Sequence, residues 1–322
     1  MQLDEYRFYV SFPPHILGKK SVSGIIHNNL IALIPAILAA LYYFRVDALK
    51  VMVLATITAL LCEAGMQKFL KRDITITDGH AILIGLLFAF LLSPAVPWWV
   101  VVIGAASSII VGKLIFGEMG NNPFNSVLVG WVMIRLSWPE KLNNWIEPFG
   151  GGIPDPPLQV FKFDGIDSFI DYDFRLLDLF LGQQAGGIGT ICTVALLAGG
   201  IYLLSKRIIS WHIPAGLLVT VFVFSGILWL IDGETNLNPL FHLVAGSTVL
   251  GAFFLATDPV TSPATRWGKL CYGIVIGLLI MIIRAWGKYP DGVAFAILLA
   301  NTSAPLLNKI RQRPYGKEKR IA

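Results

Sequence analysis

Apolar runs recur every 20 to 30 residues, separated by short stretches that are polar or rich in glycine and proline. Ten runs are read from the pattern: 30–44, 51–62, 79–92, 98–116, 124–136, 187–204, 214–231, 240–256, 268–283 and 292–307. Several approach the roughly 20 residues that a helix needs to cross a ~30 Å hydrocarbon core. Lipid offers no partner to an open backbone, so each run is predicted as a helix. The pattern therefore predicts an all-α integral membrane protein of about ten transmembrane helices.

The runs also repeat. At an offset of about 166 residues, His80 to Phe88 leading to Ser93-Pro94 falls against Gly246 to Phe254 leading to Asp258-Pro259. The segment from Phe116 to Pro123 then falls against Ala285 to Pro290, each a glycine and proline loop opening the last helix of its half. Proline loses nothing at a first helical turn, where its missing N–H would be unpaired anyway. With five helices in each half, an odd number, the second copy must enter the membrane from the opposite side. Two inverted five-helix repeats are expected, and in such folds broken helices converge near the pseudo-twofold axis.

Composition agrees with a lipid solvent: 55% of the 322 residues are hydrophobic, 14% are charged, and the mean hydropathy is +0.69. A soluble enzyme of this length could not bury so much apolar surface. The net charge of +5 calls for no nucleic-acid partner, because the basic residues cluster at helix ends, where they orient the chain. Lys19 and Lys20, then Lys68, Lys71 and Arg72, then Lys206 and Arg207, then Arg266 and Lys269 fall on one side, and the tail carries Lys309, Arg311, Arg313, Lys317, Lys319 and Arg320. Both termini are thus expected in the cytoplasm; Arg45 and Lys50 are exceptions, partly offset by Asp47. The division expected is a cytoplasmic N-terminal segment 1–24, a first repeat 25–138, an acidic extracytoplasmic loop 139–186, a second repeat 187–308 and a basic cytoplasmic tail 309–322. Residues 1–24 lack the apolar core of a signal peptide, so no cleavage is expected. Cys62, Cys192 and Cys271 lie scattered in apolar runs without metal-ligand spacing, as small core residues do.

Few polar residues interrupt the apolar pattern, and an intramembrane ionisable group is a functional candidate by default. Glu63, beside Cys62 at the end of the second run, is a candidate for cation handling or an interfacial carboxylate near Lys68. Asp258, between Thr257 and Pro259 and followed by Thr261, could cap a broken helix or serve a ligand. Arg284 ends the ninth run, where a long side chain can snorkel to the interface. Asn121, Asn122 and Asn125, with Phe124 among them, cluster at a helix start. Amides both donate and accept, which suits the edge of an isoalloxazine or quinone ring, and they are also ordinary helix caps. No Walker loop, dinucleotide fingerprint, zincin motif or hydrolase triad occurs. His80 and His242 alone among the histidines adjoin apolar runs, and haem ligation would need both at bilayer depth.

The residues also carry a resemblance. Ser11-Phe12-Pro13-Pro14-His15, Gly112-Lys113-Leu114-Ile115-Phe116-Gly117, Asn122-Pro123-Phe124-Asn125, Ser137-Trp138-Pro139, Asp178-Leu179-Phe180-Leu181-Gly182, the stretch from Ala252 to Thr261, and Gly287-Lys288-Tyr289-Pro290-Asp291-Gly292-Val293 resemble the D subunits of Rnf ion-translocating oxidoreductase complexes. More distantly, they resemble the B subunit of the sodium-translocating NADH:quinone reductase. The resemblance implies a multi-pass subunit of the cell (inner) membrane, with the inverted five-helix fold shared with urea and ammonium channels. It also implies electron relay between ferredoxin and NAD through flavin, coupled to Na+ or H+ movement, with both soluble substrates bound by partner subunits. Asn121, Asn122, Phe124, Asn125, Thr257, Asp258, Thr261 and Asp291 are the expected cofactor-binding residues.

One family feature is missing. The resemblance implies FMN esterified to a threonine on the outer loop, yet this chain reads Asp164-Gly165-Ile166-Asp167-Ser168-Phe169-Ile170-Asp171, with Ile170 at the threonine's place and no threonine between Leu136 and Gly189. A phosphoester needs a hydroxyl, and the aspartates around it repel a phosphate. FMN or riboflavin is therefore expected to bind noncovalently, or electrons to come from a partner's flavin. The alternative is a urea-channel-like solute or ion channel that has lost the redox role.

Overall fold

The computed structural model describes residues 21–72, 76–117, 120–150 and 155–309, and among these its regular elements are all helical. The N-terminal motif and the basic tail beyond Lys309 lie outside the described residues.

Helix α1 (Val22–Phe69) has 48 residues and, if straight, would be about 72 Å long, more than twice a hydrocarbon core. It is not straight. Arg45, at φ 50° and ψ −122°, leaves the helical region and divides it into two arms. Helix α2 (His80–Phe90) reveals what the break does. Gly79 at its start packs on Ile26 and Leu30 of the first arm, while Gly85 packs on Ala55 and Thr56 of the second. Positions 28 and 55 would be about 40 Å apart on one rod, yet they meet points only about 9 Å apart on α2. The chain therefore reverses at Arg45, and the predicted runs 30–44 and 51–62 are the arms of a hairpin.

Helix α3 (Trp98–Ile110) and helix α4 (Ser126–Ser137) complete the first half. The acidic loop that follows is more ordered than its composition suggests. It folds into α5 (Pro157–Phe163), α6 (Gly165–Asp171) and α7 (Leu176–Leu181). Leu158 and Leu179 join a small apolar cluster with Ala245, against which Phe174, Phe241 and Val244 pack. These elements are too short to show a helical period, and the aspartates between their apolar positions mask it.

The second half contains α8 (Thr193–Ser205), α9 (His212–Ile231), α10 (Pro239–Val244), a single turn α11 (Thr248–Leu250), a π-helical segment (Gly251–Leu255), α12 (Arg266–Trp286), α13 (Val293–Asn301) and α14 (Ala304–Leu307). Among the described residues, four segments are long and apolar enough to cross a membrane: Val22–Phe69, Trp98–Phe116, His212–Ile231 and Arg266–Trp286. The remaining predicted runs are short or broken. α2, α4 and α8 have 11, 12 and 13 residues, about 17–20 Å each. Run 240–256 is interrupted at Ala245 to Ser247, and run 292–307 at Thr302 and Ser303. Helix ends at such depth are tolerated where protein covers them.

The helices approach closely through small residues, as membrane helices do. Gly273 of α12 meets Ile213 of α9, and Gly277 meets Leu217, so α9 and α12 run parallel. In the first half, Glu63 near the end of the second arm meets Lys113 just beyond α3, so that pair is parallel too. Its sense is opposite. α3 ends beside Ser126, at the start of α4, and Asn125 there touches the carbonyl of Leu255, which lies on the N-terminal side of α12, across the turn that leads to Arg266.

Candidate functional site

The Asn125 side chain joins the halves. Its oxygen accepts from the backbone N–H groups of Val127 (3.0 Å) and Leu128 (3.4 Å), capping α4, and its Nδ2 donates to the Leu255 carbonyl at 3.0 Å. Asn122 is buried and donates to the Phe124 carbonyl at 3.0 Å. Beside them α2 begins after Gly79, whose φ of 80° suits glycine. The Asp78 carboxylate accepts the His80 backbone N–H at 2.8 Å. Together these termini and the turn after the π-helix form a partly open cavity, lined by Asn29, His80, Leu87, Asn122, Asn125, Phe254, Thr257 and Asp258 among others. The imidazole Nδ1 of His80 is buried here without a hydrogen-bond partner. An orphan of that kind calls for an explanation, since an unmade buried bond costs about 1–3 kcal/mol.

A second cavity lies at the other end of α12, about 31 Å away along the 21-residue helix. It is a partly open cavity among Trp131, Arg135, Trp145, Gln159, Gln184, Ser247, Tyr289 and Asp291. Trp145 donates to Gln159 Oε1 at 3.1 Å, and Gln159 donates to Asp155 at 3.0 Å. Burial, then the nearby Asp164 carboxylate, pushes the Asp155 carboxyl above its ordinary range. The two cavities are built alike: each uses the start of one half's last helix, the start of that half's third helix, and the far end of the other half's third helix.

The sequence-predicted residues thus divide. Asn122, Asn125, Thr257 and Asp258 converge on the first cavity, and Thr261, itself buried, donates to Asp258 at 3.0 Å. Phe124 enters only through its carbonyl, and Asn121 is exposed. Asp291 belongs to the second cavity. Its carboxylate accepts from Ser247 and, at 2.8 Å, from Arg284. Arg284 does not snorkel. It turns inward, 2% exposed, to donate to the carbonyls of His242 (2.7 Å) and Asp291 (3.0 Å) and to the Thr248 hydroxyl (2.8 Å), because the break between α10 and α11 leaves acceptors that no helix satisfies.

Glu63 is fully buried, and its partner is Lys113, not Lys68. Lys113 Nζ donates to Glu63 Oε1 at 2.6 Å and Gln67 Nε2 to the same oxygen at 3.2 Å, while Oε2 has no hydrogen-bond partner. A lone lysine within the run 98–116 was the available signal. On the outer loop Ile170 is exposed, and Ser168, the nearest hydroxyl, is committed to the Asp164 carbonyl at 3.1 Å.

The description "NQR2, RnfD, RnfE family" belongs to a family model that matches residues 9–316, nearly the whole chain. The chain belongs to this family. The subunits D of the ion-translocating oxidoreductase complexes of Ectopseudomonas mendocina (strain ymp), Escherichia coli (strain SMS-3-5) and Cronobacter sakazakii are 36%, 35% and 36% identical to it. The alignments cover 95%, 97% and 96% of this chain and 95%, 99% and 99% of those proteins. The resemblance carried by the sequence motifs is therefore borne out, and the paired cavities belong to an NQR2, RnfD, RnfE family member.

Proposed function

We propose that this chain is the D-type membrane subunit of an Rnf-like ion-translocating oxidoreductase complex, passing electrons through a noncovalent FMN or riboflavin held in the first cavity. The observation that carries the flavin site is the unpartnered His80 nitrogen, on a side chain that lines a cavity to which both halves contribute, with Asn122, Asn125, Thr257 and Asp258. A flavin there supplies a carrier that accepts and passes on electrons. The chain's own groups hold it: His80 and Asn122 offer hydrogen bonds to the ring edge, and Leu83, Ile84, Leu87 and Phe254 exclude water. α2 and α4 present their positive N-terminal ends, which favour added negative charge.

The wider reading follows from the same pieces. The opposed helix pairs and similarly built cavities support ten membrane crossings arranged as two inverted five-helix repeats, 25–138 and 187–308. The basic loops favour the first cavity and both termini on the cytoplasmic side of the cell (inner) membrane. Ferredoxin and NAD bind partner subunits, and Na+ or H+ moves past Glu63. A solute channel fits less well, since a neutral solute has no need of a buried carboxylate and lysine.

The test is mass. Denaturing the purified complex is expected to release flavin and leave this chain at its unmodified 35.3 kDa; a chain carrying a flavin adduct overturns the noncovalent reading. In parallel, Glu63→Gln is expected to lower ion uptake while leaving assembly intact, and unchanged uptake removes Glu63 from the pathway.

A further inference from the structure

Three features at the first cavity's end of the fold stand together. The first is the Glu63–Lys113 pair itself, a carboxylate 0% exposed and an ammonium 3% exposed at 2.6 Å. Neither has solvent to fall back on, so the pair is neutral as a unit and offers an incoming cation no net charge. The second is Glu63 Oε2, buried without a hydrogen-bond partner while Oε1 takes both Lys113 and Gln67. One oxygen of the carboxylate is satisfied and the other is buried unpaired. The third is the setting of Lys113. α3 has already ended at Ile110, and Lys113 has non-helical φ −121° and ψ −62°, so its side chain is presented by a turn. That turn is tied back to α3 by backbone bonds from Gly112 to Ser107 and from Lys113 to Ile109, and across to α4 by the Ser126 hydroxyl, which donates to the Gly112 carbonyl at 2.9 Å. Ser126 is also the first residue of α4, adjoins Asn125 and lines the first cavity.

We infer that Lys113 is a tethered counter-cation that occupies the place of a transported monovalent cation on Glu63, with its turn tied through Ser126 to the wall of the first cavity. Lys113 leaves Oε1 when a mobile cation reaches Oε2, and returns when that cation departs; no bond is made or broken and charge at the carboxylate stays balanced. Repacking at the cavity wall moves Ser126, hence Gly112 and Lys113, and this ties the ion step to the electron step. The inference rests on the reading of Glu63 as part of the ion pathway and adds the residue that regulates it.

The experiment uses the intact complex in proteoliposomes, with electron transfer measured against Na+ concentration at fixed pH and against pH at fixed Na+, and uptake followed by 22Na+ and by a pH-sensitive dye. Lys113→Met leaves the carboxylate without its resident cation, so the cation concentration giving half-maximal rate is expected to fall at least tenfold, in the Na+ arm or the proton arm according to which ion moves. An assembled Lys113→Met complex with unchanged half-saturation in both arms overturns the inference. Should Lys113→Met fail to assemble, Glu63→Gln/Lys113→Met replaces a neutral pair by a neutral pair; it is expected to assemble and to transfer electrons without cation dependence. Wild-type cation dependence in that double variant makes the pair structural and overturns the inference. Glu63→Gln alone separates the two readings: unchanged uptake there removes the pathway, whereas lost uptake beside an unchanged half-saturation in Lys113→Met removes only the role given to Lys113.

Discussion

At the scale of the residue, the chain places a few polar groups deep in an apolar frame and satisfies most of them. Arg284 is the fullest case, with donors shared among His242, Thr248 and Asp291. Arg284 is 2% exposed and Asp291 37%, and each buried acceptor left unpaired costs about 1–3 kcal/mol, so Arg284→Met is expected to lower the thermal midpoint of the complex in detergent more than Asp173→Asn at an exposed pair. A fall no larger than that of the exposed variant would show that Arg284 carries little. Asp155 offers a pH test. Its carboxyl is raised by burial and by Asp164, so the folded state binds that proton more tightly than the unfolded state, and this group's contribution to stability grows as pH falls through the folded value. Asp155→Asn is expected to stabilise the outer loop at neutral pH and to remove that part of the gain on acidification, as followed by limited proteolysis of the loop across pH.

Elements show where sequence reading stops. The amide cluster was legible because Asn122 and Asn125 interrupt an apolar pattern at a helix start, and Asp258 because it breaks one at a helix end. Asp291 was grouped with them by motif alone, yet the 21-residue α12, about 31 Å long, stands between it and Asp258. The Arg45 reversal shows in sequence only as a polar gap between two runs, and its depth depends on packing against α2. Lys113 could be seen as a lone charge, but its partner lies 50 residues away, beyond any local spacing rule. The break before α11 turns on Gly246, whose φ is 71° and where an added Cβ would come within 2.5 Å of Asp291 Oδ1. A left-handed backbone alone costs a non-glycine residue about 1–2 kcal/mol, so Gly246→Ala is expected to destabilise the second cavity and lower the melting temperature, whereas Gly120→Ala, also at positive φ but with open space around it, pays the backbone cost only. Equal losses in the two would argue against the Asp291 contact.

For the whole molecule, the halves matter more than the helix count. Each cavity borrows a helix end from the opposite half, so neither half holds a complete site. The proposed topology makes a simple demand on labelling: with the three native cysteines replaced by alanine, Lys206→Cys is expected to react from the cytoplasmic side and Ile170→Cys from the outside, and reaction of both from one side would contradict it. The central claim is that a flavin sits against His80 and Asn122. Loss of one buried hydrogen bond to a ligand costs about 1–3 kcal/mol, roughly 5- to 150-fold in affinity. The most direct measurement is flavin recovered per chain from denatured, dialysed complex, comparing wild type with His80→Leu. Wild type is expected to release its flavin in full and His80→Leu to have lost most of its share during dialysis, with assembly unchanged; equal recovery from both would contradict the site.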